Sequence, residues 1–73
     1  MKLIRAKELA LSLGITRAWL YKEIERGVVP PGIRTAQYTV GWREEEVKLI
    51  HASRAAGLGE EGQREVVRSI LEK

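Results

Sequence analysis

The segment ELALSLGITRAWLYKEI, residues 8–24, constrains the fold of this chain more than any other. It reads as two short helices joined by a tight turn at Gly14, held together by Leu9, Leu13, Ile15, Leu20 and Ile24. Ala10 stands four residues before Gly14, where one helix crossing another at close range needs a small side chain. Gly14 supplies the positive φ that such a turn wants, and Thr16 supplies a hydroxyl to cap the second helix. This is the pattern of a helix-turn-helix, whose second helix enters the DNA major groove. Duplex DNA is therefore the expected partner.

The flanking sequence completes a small architecture. The first helix is expected over residues 6–13, without a good capping side chain at Arg5, after a short lead-in at residues 2–5. The second is expected over residues 17–26, stopping at Gly27. Val28-Val29-Pro30-Pro31-Gly32 cannot be helical, because two prolines and a glycine break the hydrogen-bond ladder. Residues 33–35 and 38–42, rich in Thr, Tyr, Val and Trp, suit two short strands with their tip at Ala36-Gln37. A hairpin directly after a recognition helix is a wing. A third helix is expected over residues 43–56, with Val47 and Ile50 inward, and Gly57-Leu58-Gly59 breaks it. A fourth spans residues 60–71, with Val66, Val67, Ile70 and Leu71 as one apolar stripe. That stripe either folds back on the domain or pairs with another copy, and the short glycine-flanked reversal favours folding back. The expected fold is mainly α, a winged helix-turn-helix with a two-stranded β wing and additional C-terminal helices. Residues 1–56 form the DNA-binding domain and residues 57–73 the helix that packs on it or mediates self-association.

Composition narrows the function. Seventy-three residues allow one small domain. Residues 1–43 hold eight Lys and Arg against three Glu, whereas residues 44–73 hold five against seven. This separation gives one end the basic character that phosphate contact needs. The chain has no Cys, Asp or Asn and a single His, His51, in a setting that suits a partly buried or surface position. An enzyme, a metal and a cofactor are accordingly not expected. The Glu44-Glu45-Glu46 run fits a helix start, where acidic residues favour the macrodipole. MKLIRAKEL carries no signal-like apolar run, and no segment approaches the ~20 apolar residues of a membrane span. A soluble cytoplasmic chain without a membrane partner is expected.

The residues resemble the AlpA-like phage regulators and the excisionases, small members of the MerR-type winged-helix group. The resemblance rests on Arg5 and Glu8 opening the first helix, then Gly14, Thr16-Arg17, Leu20-Tyr21, Ile24, Gly27 and Pro30. It continues through Val40-Gly41-Trp42 and Glu46-Val47, covering roughly residues 3–56. The stretch AAGLGEEGQREVVRSILEK is similar to a tail found on AlpA-like proteins. At the wing tip, Thr35-Ala36-Gln37-Tyr38 departs from the family's glycine-rich, arginine-bearing pattern. The resemblance implies a regulator that binds DNA upstream of a promoter, or one that binds adjacent repeats, bends them and steers an integrase towards excision. Partners would then be double-stranded DNA, an integrase, and further copies on adjacent sites. The same module is also similar to the DNA-binding end of phage small terminase subunits, so a packaging or assembly adaptor is one alternative. A protein-interaction module is another.

The candidate DNA-contacting residues are Thr16, Arg17, Ala18, Tyr21 and Lys22 on the turn and second helix, with Arg34, Gln37, Tyr38 and Arg43 on and beside the wing. Arg17, early on the second helix, can pair with guanine O6 and N7 or hold a phosphate. Ala18 lets the helix approach the groove or touches a thymine methyl, and Lys22, one turn on, faces phosphate. Tyr21 matches the family's phosphate-bonding tyrosine. Arg34 and Arg43 flank the duplex. Trp19 either packs against the wing or the first helix, the favoured reading, or lies along the DNA backbone, and Trp42 is expected to plug the core.

Overall fold

In the computed structural model, residues 3–36 and 39–72 are described. The elements run β1 (Leu3–Arg5), α1 (Ala6–Leu13), α2 (Arg17–Glu25), β2 (Ile33–Ala36), β3 (Thr39–Arg43), α3 (Glu44–Ala55) and α4 (Glu60–Leu71). The mainly helical winged helix-turn-helix architecture expected from sequence is present. Gln37 and Tyr38, assigned from sequence to the wing tip and the start of its second strand, lie outside the described residues.

The wing is larger than expected. Residues 3–5 are not a lead-in but a strand, and the sheet has three antiparallel strands in the order β1-β3-β2. Leu3, Ile4 and Arg5 stand opposite Arg43, Trp42 and Gly41. Ile33 and Arg34 stand opposite Gly41 and Val40, with a register shift before Ala36 meets Thr39. Three residues are too few for a period-two alternation to show, so β1 is specified by its partner rather than by its own pattern. Gly41 makes the pairing possible. A Cβ at that position would stand 2.8 Å from Cβ of Leu3, a distance real side chains do not tolerate.

The helical boundaries follow local chemistry. The residue after α1, Gly14, has φ 73°, and the N–H groups of Gly14 and Ile15 donate to the carbonyls of Leu11 and Ala10 at 3.1 and 3.0 Å. This is a Schellman closure, in which two otherwise orphaned carbonyls are satisfied and the chain reverses. The same pair of bonds closes α2, from Gly27 to Ile24 and from Val28 to Glu23. Thr16 caps α2 as expected, its Oγ1 accepting from the Trp19 N–H at 3.0 Å. β3 runs directly into α3, where the Arg43 N–H donates to Oε1 of Glu46 at 3.0 Å.

The core consists of Leu9, Ala10, Leu20, Val28, Val29, Trp42, Val47 and Ile50, with Leu13, Ile15 and Ile24 packed partly buried against it. Trp42 plugs it as expected, fully buried, with its Nε1–H donating to the Pro30 carbonyl at 2.8 Å. The segment from Val28 to Pro30, legible in sequence only as a helix breaker, thus contributes three buried residues. His51 is partly buried and within hydrogen-bond distance of the Ser12 hydroxyl, Nε2 to Oγ 3.0 Å.

α4 lies against α3 with Val67 and Ile70 buried, while Leu71 is 60% exposed. The stripe is therefore narrower than expected. Residues 67 and 70 share a face, and Leu71 sits about 100° further round the helix, beyond the contact. Polar contacts also tie α4 to the end of α2. Arg64 Nε donates to the Arg26 carbonyl at 2.9 Å, and Arg26 pairs with Glu60. These groups are exposed, so the ion pair adds little.

A different pair joins α2 to α3. Glu23 is only 5% exposed, and its Oε2 accepts from Arg54 Nη2 at 2.8 Å. Oε1 of Glu23 and Nε of Arg54 are buried without a partner, so the two side chains make one bond where a fork could make two. Leaving a buried charge alone costs more than the pair contributes. Arg54→Ala is expected to lower stability by about 2–4 kcal/mol, and the apolar double replacement Glu23→Leu with Arg54→Met to recover most of it. Trp42→Ala is expected to cost about 3–5 kcal/mol. Urea denaturation of each variant measures both effects, and a Trp42 variant that unfolds like the parent chain would remove the indole from its role in the core.

Candidate nucleic-acid interface

The turn at Gly14 and the cap at Thr16 fix where α2 begins. Its periodicity then decides which side chains face out. Leu20 and Glu23 are buried against the domain, with Ile24 partly so, whereas Arg17, Ala18, Trp19, Tyr21 and Lys22 are exposed. With about 100° between successive residues, Ala18 and Lys22 lie opposite the buried face, and Arg17, Trp19 and Tyr21 lie on its shoulders. Four of the expected contact residues, Arg17, Ala18, Tyr21 and Lys22, therefore share one exposed surface, with Thr16 exposed just ahead of them.

The electrostatics of α2 are uneven along its length. Its first turn contains no acidic residue, so the positive end of the helix dipole is uncompensated there. Arg17 adds a cation at that end, and Lys22 adds a second on the same exposed face in the last turn. Towards the C-terminal end Glu25 is exposed and Arg26 is occupied by Glu60. Attraction for a polyanion is thus concentrated at the start of the helix.

Trp19, expected to be covered by the wing or α1, is left partly exposed. It is 45% exposed, and the Lys22 ammonium stands 5.7 Å from its ring centroid. The neighbouring Leu20 takes the buried position, and one step of the helix swings residue 19 off the core-facing side. The signal was in the sequence, since Trp19 immediately precedes a core leucine. Glu23 was also legible: it lies three residues after Leu20, on the inward arc.

On the sheet, Arg34 and Arg43 are both exposed but are not brought together. Arg34 stands opposite Val40, towards the hairpin tip. Arg43 stands at the base of β3, in a shallow recess shared with Glu45, Glu46, Leu49 and Ile70. Its surroundings are acidic, unlike those of Arg17. Gln37 and Tyr38 lie outside the described residues. Among the described residues, no three or more His, Cys, Asp or Glu side chains are grouped to hold a metal ion, and no helix is long and apolar enough to cross a membrane.

No curated protein and no solved structure matches the chain. The family model described as Prophage CP4-57 regulatory protein (AlpA) matches residues 2–54. That span begins at the first strand, takes in the helix-turn-helix and the wing, and reaches the last turn of α3, leaving α4 outside. With most of its length under that match, and with the turn, cap and sheet described above inside it, the chain belongs to the AlpA family of prophage regulatory proteins.

Proposed function

We propose that the chain is a sequence-specific double-stranded DNA-binding regulator of excisionase or AlpA type, controlling integrase-mediated excision of a mobile element, transcription, or both. The observation that carries this reading is the outward surface of α2, where Arg17, Ala18, Tyr21 and Lys22 share one exposed face that begins at the positive end of the helix and runs to its last turn. A helix is about 10–12 Å across with its side chains, and the B-DNA major groove is about 12 Å wide, so this face can seat in it. Phosphate contacts supply most of the affinity, and base contacts choose the site.

In this reading residues 1–56 are the DNA-binding unit, and residues 57–73 brace it or bring copies together. Arg17 and Lys22 act in the major groove, with Thr16, Ala18 and Tyr21 beside them. Arg34 and the wing residues Gln37 and Tyr38 reach the flanking backbone, and Arg43 contributes from the base of the hairpin. The protein works by position rather than catalysis. Its place is the cytoplasm, where the DNA is, with an integrase and further copies of itself as partners on adjacent sites. An excision assay with and without an integrase separates recombination control from promoter activation.

Duplex DNA is expected to bind with an affinity that falls steeply as salt rises, with a log–log slope of about −0.9 for each phosphate neutralised. Fluorescence polarisation at several salt concentrations measures it, and an absence of binding at low salt on both genomic and random duplexes defeats the proposal. Arg17→Ala is expected to weaken specific binding by about 1–3 kcal/mol and relax preference at one base position. An equal loss on every sequence would assign Arg17 to a phosphate instead.

A further inference from the structure

Trp19 stands outside the core cluster. It is a large aromatic side chain, 45% exposed, on a protein whose other tryptophan is fully buried. Its neighbours are the ones expected to touch DNA. It follows Arg17 and Ala18, and it lies three residues before Lys22, whose ammonium stands over its ring. Side chains at that spacing meet on a helix surface, and an ammonium over an indole face is an attractive cation–π contact.

We propose that Trp19 is a DNA-contacting residue whose indole lies against the deoxyribose wall of the major groove while Lys22, held over the ring, engages the adjacent phosphate. The proposal rests on the reading of α2 as the element that enters the groove. Helical geometry supplies the rest. Leu20 marks the buried direction, and Trp19 and Tyr21 lie about 100° to either side of it. When the strip carrying Ala18 and Lys22 faces the groove floor, the two aromatic shoulders face its opposite walls. Tyr21 meets one wall through its hydroxyl. Trp19 meets the other through an apolar face, which suits a sugar rather than a phosphate. The small side chain of Ala18 lets the helix settle deep enough for both shoulders to reach.

An apolar contact differs from an ionic one in its response to salt. Trp19→Ala is expected to weaken duplex binding by about tenfold at every salt concentration, the loss expected when roughly half of an exposed indole leaves a contact. The salt slope is expected to stay unchanged, whereas Lys22→Ala reduces it by about one phosphate. Trp19→Phe is expected to keep most of the affinity. Because residue 19 is exposed, both variants are expected to melt with the parent chain.

Acrylamide quenching of the wild-type chain provides an independent readout. The quenchable emission belongs to Trp19, is missing from the Trp19→Phe variant, and is expected to shift to the blue and become protected when mixed-sequence duplex DNA saturates the chain. Should the alanine variant fold poorly, this measurement decides. Wild-type chain that binds DNA while Trp19 stays freely quenched overturns the inference and leaves DNA binding intact. So does a folded Trp19→Ala variant whose affinity stays within about twofold of the parent. Protection that appears with protein concentration alone, without DNA, assigns the indole to a contact between copies and also overturns it. Failure of the wild-type chain to bind DNA at all defeats both this inference and the reading beneath it.

Discussion

The fold depends on where Trp42 is held. Its indole is fully buried, and its Nε1–H donates to the carbonyl of Pro30 at 2.8 Å. β3, which carries it, is the central strand, paired with β1 on one side and β2 on the other. One side chain therefore fixes the sheet to the segment that leaves α2. A buried indole needs a partner for its single donor, and Pro30 offers a carbonyl at a place where no helix can consume it. The helix-breaking sequence Val28-Val29-Pro30 thus both ends α2 and supplies the floor on which the sheet rests.

The presentation of α2 follows from that support. At its start the Schellman closure at Gly14 and the Thr16 cap set the direction of the chain. At its end a second closure turns Val28 into the core. Between them Leu20 packs beneath α1, and Glu23 reaches Arg54 on α3. With these anchors on one side, the remaining side chains have nowhere to go but outward. The exposed face of α2 is the complement of its buried one, so its chemistry is set by the residues the core does not need.

Charge and helix packing divide the molecule in a related way. The acidic first turn of α3 (Glu44, Glu45 and Glu46) favours the start of that helix and leaves Arg43 in negative surroundings. α4 brings Glu60 to Arg26 and Arg64 to the last carbonyl of the α2 region, compensating the C-terminal end of that helix. What remains uncompensated is the start of α2, with Arg17 at the positive end of the dipole and Lys22 further along the same exposed face.

The sequence alone determined the helices, the turn and the outward residues of α2. These rest on local signals: a 3.6-residue apolar repeat, a glycine that accepts positive φ, a threonine at a cap, prolines where a helix must stop. Trp42 was legible as core because it stands where a strand runs into a helix. Tertiary structure alone decided the third strand and the buried ion pair. Leu3–Arg5 is a strand only because Gly41, far along the chain, lets it approach. Glu23 accepts burial only because α3 brings Arg54 to it. Leu71 stays open because α4 meets α3 along a face that ends at Ile70. In each case the deciding partner is distant in sequence, and a local pattern carries no record of which distant surface will arrive or fail to arrive.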